Sequence, residues 1–250
     1  MKLTTLLTLA LTAGALPGLA HAADEMKAEG AGMMAAEGKM AGDGMMAAGG
    51  SMAGHAMKAT YRVTFERTWS EKTHPADFPL LAHFSPVIGV THDAQYEPFS
   101  AGHQPTKGIE MLCEEGKHQP LDGEIRAEIG KGDAGTLIET ADPLRKAPET
   151  ATARFEIDEA HPMVSIGAMI APSPDWCAFA ANVPLFENGA WVAEKSVDLE
   201  AFDVGTDSAK TYRALDADMN PKGEIQLNPS AYFVMKDHRA PVGRVTFVRQ

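Results

Sequence analysis

Tyr61-Arg62-Val63-Thr64-Phe65-Glu66 sets large apolar residues against polar ones at every second position. Successive side chains of an extended chain point to opposite faces, so this run reads as a strand with one face buried. Ala153, Phe155 and Ile157 alternate in the same way with Arg154, Glu156 and Asp158, as do Val245 and Phe247 with Arg244, Thr246 and Val248. Met163 to Ile170 is an apolar run, broken only by Ser165, and short enough for a buried strand. Trp191 to Leu199 and Ala231 to Met235 are further strand candidates. Lys107 to Glu115, stopped by Gly116, is the stretch that reads as helix, and little else qualifies. Many short strands separated by Pro, Gly, Asn and Asp predict an all-β domain, an antiparallel β-sandwich over residues 59–250.

Upstream of that domain the composition changes twice. Met1-Lys2, an apolar run from Leu3 to Leu16, a Pro17-Gly18 break and Ala20-His21-Ala22 form the pattern of a signal peptide over residues 1–22. The chain is therefore expected to be exported, periplasmic or secreted. No other run is long and apolar enough to predict a transmembrane segment. Residues 23–58 hold eight of the fourteen methionines in a Gly- and Ala-rich context with no aromatic or β-branched residue, and are expected to be disordered. Within them, residues 32–43 and 44–55 are tandem twelve-residue copies, identical at nine of twelve positions. Met33, Met34, Met40, Met45, Met46 and Met52, with His55, are soft donors suited to Cu(I), which gives a metal-handling reading; a flexible spacer grown by duplication is the other.

The 22 Lys and Arg against 34 Asp and Glu give a formal charge of −12. That argues against nucleic-acid binding and against a polybasic membrane-surface role, both of which need a cationic face. The two cysteines, Cys113 and Cys177, cannot build a four-thiolate zinc site. In an oxidising compartment they read as one disulfide closing a loop of about 64 residues, worth about 3–4 kcal/mol. Two buried unpaired thiols are the other reading.

Most catalytic patterns are missing from the sequence. It has no Gly-x-Ser-x-Gly, no His-Glu-x-x-His and no Cys-x-x-Cys, and its dense glycines follow no strand. A non-enzymatic role is expected. His83 and His92 read as structural, hydrogen-bonded residues. More specific is Asp203-Val204-Gly205-Thr206-Asp207-Ser208, two carboxylates four apart around a glycine. A tight loop with Gly205 at positive φ can turn both carboxylates toward one point, and oxygen ligands suit Ca²⁺; an ordinary turn has the same sequence.

The order of landmarks carries a resemblance. Tyr61 to Phe65 is followed by Thr68-Trp69-Ser70, His74-Pro75, His83-Phe84-Ser85-Pro86 and Gly89-Val90-Thr91-His92-Asp93. Then come His161-Pro162-Met163-Val164-Ser165, Pro172-Ser173-Pro174-Asp175-Trp176 and the acidic loop. This order closely resembles the spondin domain, in its bacterial form, over nearly all of 59–250. The resemblance implies a variant of the calcium- and lipid-binding sandwich fold and a structural calcium ion at one end. It places the acidic ligands on Asp175, Asp203 and Asp207. It also implies a binding or adhesion module at the cell envelope or outside the cell, its partner an unknown protein or glycan surface ligand. Three positions depart from the family: Cys113, Cys177 and Ala209, the last where a glycine is usual. Two unusual cysteines in one sequence favour a Cys113–Cys177 bridge.

Overall fold

The computed structural model describes residues 57–235 and 238–250. The signal peptide assigned to 1–22 and the soft-donor set Met33, Met34, Met40, Met45, Met46, Met52 and His55 lie outside the described residues. The described chain forms β1 (Lys58–Arg67), β2 (His83–Phe84), β3 (Ile88–His92), α1 (Lys107–Glu115), α2 (Leu121–Lys131), β4 (Ala134–Glu139), β5 (Glu149–Asp158), β6 (Met163–Ala171) and β7 (Trp176–Pro184). There follow β8 (Phe186–Glu187), β9 (Ala190–Trp191), β10 (Glu194–Asp203), β11 (Gln226–Leu227), β12 (Val234–Met235), β13 (His238–Arg239) and β14 (Gly243–Arg249).

The main strands run β4-β3-β6-β7-β10-β14-β1-β5, antiparallel throughout, and β5 returns beside β4 so that the sheet is nearly closed. Strand β10 makes the corner. Its first part, Glu194 to Leu199, pairs with β14, and its last part, Glu200 to Asp203, pairs with β7. The result is an all-β sandwich in which one long strand serves both layers.

Alternation decides which face is buried. Tyr61, Val63 and Phe65 of β1, Phe155 and Ile157 of β5 and Val245 and Phe247 of β14 meet Val164, Ile166, Ala168 and Ile170 of β6 in one core. The other face of β6 is buried as well. Met169 and Ala171 join Cys177 and Phe179 of β7, Ile109 and Leu112 of α1, and Leu121 and Ile125 of α2 in a second core. A strand covered on both sides carries an apolar run instead of alternation, which is the pattern of β6.

The helices that cover this face have local causes. Thr106 caps α1 by accepting a hydrogen bond from the Ile109 N–H, and Gly116 at φ 67° ends it. The sequence reading missed α2. Its stripe of Leu121, Ile125 and half-buried Ile129 has helical spacing, but Gly123 and Gly130 interrupt the propensity.

Two strand boundaries differ from expectation. Trp191 to Leu199 is not one strand: Asn188 (φ 53°) and Gly189 (φ 77°) turn a tight β8–β9 hairpin that ends at Trp191, and β10 starts at Glu194. Ala231 to Phe233 is a turn, because the Asn228 and Ser230 side chains accept the Ser230 and Tyr232 N–H groups, and β12 begins only at Val234.

Candidate metal centre

Register brings the acidic residues to one end of the sandwich. Asp203 closes β10 opposite Trp176 of β7, which places it beside Asp175. The Val204 N–H donates to the Asp175 carbonyl (3.3 Å), so the chain leaving β10 stays against the chain entering β7. Gly205 then takes φ 74°. A Cβ there would lie 2.8 Å from the Gly223 carbonyl carbon, so both conformation and space require glycine. This turn aims two backbone donors back at Asp175, whose Oδ2 accepts from the Thr206 N–H (2.8 Å) and the Asp207 N–H (3.1 Å).

The loop orders its own carboxylates too. Asp203 Oδ1 accepts from the Gly205 N–H at 3.0 Å. Asp207 Oδ1 accepts from the Ala209 N–H at 2.6 Å, and its Oδ2 from the Ala217 N–H at 3.0 Å. Ala209 is not among the residues at positive φ, so its place in the family's glycine position carries no strain.

Asp175, Asp203 and Asp207 are all buried, Asp175 completely. Burial, and then the negative charge of Asp203, push the Asp175 carboxyl up to about 6. Burial also raises Asp203, with the Gly205 hydrogen bond opposing it. One oxygen is left over: Asp175 Oδ1 is buried and has no hydrogen-bond partner. A buried carboxylate oxygen without a donor, in the field of a neighbouring carboxylate, can be answered by a proton or by a hard cation.

A second carboxylate group adjoins these three, and the sequence reading missed it. One oxygen from each of Glu110, Glu114 and Asp218 lies within 4.8 Å of the others, a closeness that Asp175, Asp203 and Asp207 do not reach as a set. Glu110 is answered by Lys107 (2.6 Å) and by Lys222. Among the described residues no Lys or Arg pairs with Glu114: burial raises its carboxyl, a Thr206 hydrogen bond opposes that, and the charges of Asp218, Asp175 and Asp216 add to the rise. Glu114, Asp207 and Asp216 line a cleft of about 300 Å³ with Ser173 and Pro174.

Cys113 and Cys177 form a disulfide with Cα atoms 5.4 Å apart, and both side chains are fully buried. The bond fastens the last turn of α1 to the start of β7 and so draws Glu114 toward Asp175. The signal for Glu114 was therefore in the sequence, in its position next to an unusual cysteine.

The two histidines considered earlier have structural partners. Buried His92 meets Ser165 Oγ (2.8 Å) and the Asp93 carbonyl (2.7 Å), and His83 Nδ1 meets the Leu81 carbonyl (2.8 Å).

The profile of the Spondin_N family matches residues 59–240, from the first residues of β1 to just past β13. The chain belongs to the Spondin_N family. Spondin-1 of Xenopus laevis is 35% identical over 179 residues, and Spondin-1 of Homo sapiens 33% over 178, each covering 67% of this chain and 21% of the relative. Spondin-2 of Homo sapiens is 27% identical over 209 residues, 76% of this chain and 61% of the relative. The chain thus spans about a fifth of the Spondin-1 proteins and about three fifths of Spondin-2. The spondin domain is the shared part, and Asp175, Asp203 and Asp207 lie inside the matched residues. Among the described residues, no helix is long and apolar enough to cross a membrane.

Proposed function

We propose that this chain is an exported, non-enzymatic spondin-domain binding module that carries a structural calcium ion at the acidic end of its sandwich. The observation that carries the reading is the unpartnered, fully buried Asp175 Oδ1 among the carboxylates of Asp203 and Asp207. Mutual repulsion on short loops is relieved when a divalent cation enters, so the ion fixes the loops that a protein or glycan surface ligand meets. The leader-like sequence of residues 1–22 and the disulfide support export to an oxidising compartment, at the cell envelope or beyond it.

Thermal unfolding of the mature chain, with 1 mM calcium against EDTA, tests this. A site with Kd a hundredfold below the free ion adds about 2.7 kcal/mol and raises Tm by several degrees. Asp203→Ala and Asp207→Ala lose that shift. Equal melting in calcium and EDTA for the unmutated chain sinks the reading. The tandem methionine repeat favours a second one, Cu(I) capture by residues 23–58. Deleting that segment then abolishes Cu(I) binding and leaves the calcium response untouched.

A further inference from the structure

We infer that the end of the sandwich opposite the acidic loop binds an acidic sugar, a hexose carrying carboxylate or sulfate, as the surface glycan of this module. This rests on the binding-module reading above, and the calcium ion takes no part in it. The two sites lie at opposite ends of β10, which begins at Glu194 beside Val248 and finishes at Asp203 beside Trp176.

Lys58, Thr60, Glu156, Trp191, Arg249 and Gln250 line an open cleft of about 490 Å³ there, a volume suited to a small ligand. Backbone pairing sets its walls. The Arg249 N–H donates to the Ala193 carbonyl and the Gln250 N–H to the Thr60 carbonyl, each at 2.9 Å. Half-buried Trp191 is held by edge contacts with Tyr61, ring centroids 6.3 Å apart, and with Phe186, 4.9 Å apart. Arg154 reaches the cleft through Gln250, its Nη2 donating to Gln250 Oε1 at 3.1 Å.

Charge decides what the cleft takes. In a chain of formal charge −12, Arg239 and Arg244 each pair with a carboxylate. Among the described residues Lys58, Arg62, Arg154 and Arg249 form no ion pair, and all four are exposed around this cleft and the strand ends beside it. Arg62 and Arg154 also stand directly opposite each other across β1 and β5. Like charges in that position destabilise a sheet, a cost that a bound anion relieves. A bare anion such as phosphate leaves Glu156 unused and repelled. An acidic sugar meets both demands: its charged group takes the cations, and its hydroxyls donate to the Glu156 carboxylate. The apolar face of its ring then lies against Trp191.

Calorimetric titration of the mature chain tests this, with trigalacturonate as the carboxylate probe and a sulfated galactose trimer as the sulfate probe. EDTA keeps calcium, which uronates themselves bind, out of the measurement. Maltotriose is the neutral control, and a triglutamate peptide supplies charge without sugar. At least one acidic sugar is expected to bind, more weakly as salt rises, and neither control. Arg249→Gln and Arg154→Gln each weaken binding about tenfold, the scale of one hydrogen bond to a charged group. Lys72→Gln removes an exposed charge beyond the far end of β1 and changes binding by less than about twofold. Arg62→Gln weakens binding while raising the Tm of the free chain, a combination that a purely structural arginine does not give. Triglutamate binding as tightly as the acidic sugars overturns the sugar, and equal weakening in Lys72→Gln overturns the cleft. Failure of both acidic sugars to bind overturns the inference altogether. A Tm that still responds to calcium in that case leaves the calcium reading standing.

Discussion

Asp175 shows how the fold holds one carboxylate at a local cost. Its carboxyl is raised from 3.8 to about 6 in the folded chain, so in the cation-free protein its charge opposes folding. Above about pH 6 both states carry the charge, and the penalty is complete, about 3 kcal/mol at most. As pH falls from about 6 toward 3.8, the folded state takes the proton first and the penalty fades. His74 and His92 act in the opposite sense: burial lowers both, so their contribution is present above about pH 6.5 and is lost as pH falls. Asp175→Asn isolates the first effect. In EDTA the variant is expected to be more stable than the unmutated chain at pH 7.5, and the difference shrinks toward pH 4.5. Urea unfolding at several pH values reads this directly, and a difference independent of pH contradicts it. Asp203 and Asp207 were legible because a glycine between two near-adjacent aspartates is a local signal. Asp175 was not legible that way, since it joins them only through the β7–β10 register, and resemblance alone pointed to it.

At the scale of elements, β6 is the strand on which the architecture turns, because it packs against the opposite layer on one face and against α1 on the other. Its small residues are as telling as its large ones. A Cβ on Gly167 would lie 2.3 Å from Phe179 Cδ1 and 3.0 Å from the Ala178 carbonyl oxygen. Phe179 has no room to retreat: it stacks on Phe99 with centroids 4.6 Å apart and leans on Phe202 at 5.5 Å. Gly167→Ala is therefore expected to cost about 1–3 kcal/mol by overpacking. Differential scanning calorimetry should show a lowered Tm with the calcium-induced increment unchanged, since the substitution lies away from the acidic end. Loss of the increment would mean that β6 packing also sets the site. The alternation in β1, β5 and β14 was readable because each has one wet face. β3 and β7 lie in the doubly covered layer, where burial on both sides erases the period-two signal, and β4 reads Ala-Gly-Thr-Leu-Ile-Glu, which does not alternate. The same cover explains α2, whose glycines at 123 and 130 face open space and whose few apolar residues are buried with the sheet and α1.

Across the whole molecule, the Cys113–Cys177 bridge joins the helical layer to the sandwich and the sandwich to its acidic end. Helices of nine and eleven residues are too short to persist alone, so α1 and α2 depend on Ile109, Leu112, Leu121 and Ile125 and on this one covalent tie. Spanning a sequence separation of 64, the bridge restricts the unfolded chain by about 4 kcal/mol in the loop-entropy picture. Cys113→Ala combined with Cys177→Ala should lower the unfolding free energy by that order and raise the urea m-value, because the released chain expands further. The loss should also be uneven. Hydrogen exchange of residues 107–131 is expected to accelerate more than exchange in β1 and β14, whose core of Tyr61, Val63, Phe65, Val245 and Phe247 does not touch the bridge. An even loss of protection across both layers would show that the bridge acts only on the unfolded chain. A loss concentrated in the helices would show that it holds the helical layer in place, and would tie the covalent bridge to the order of the acidic end.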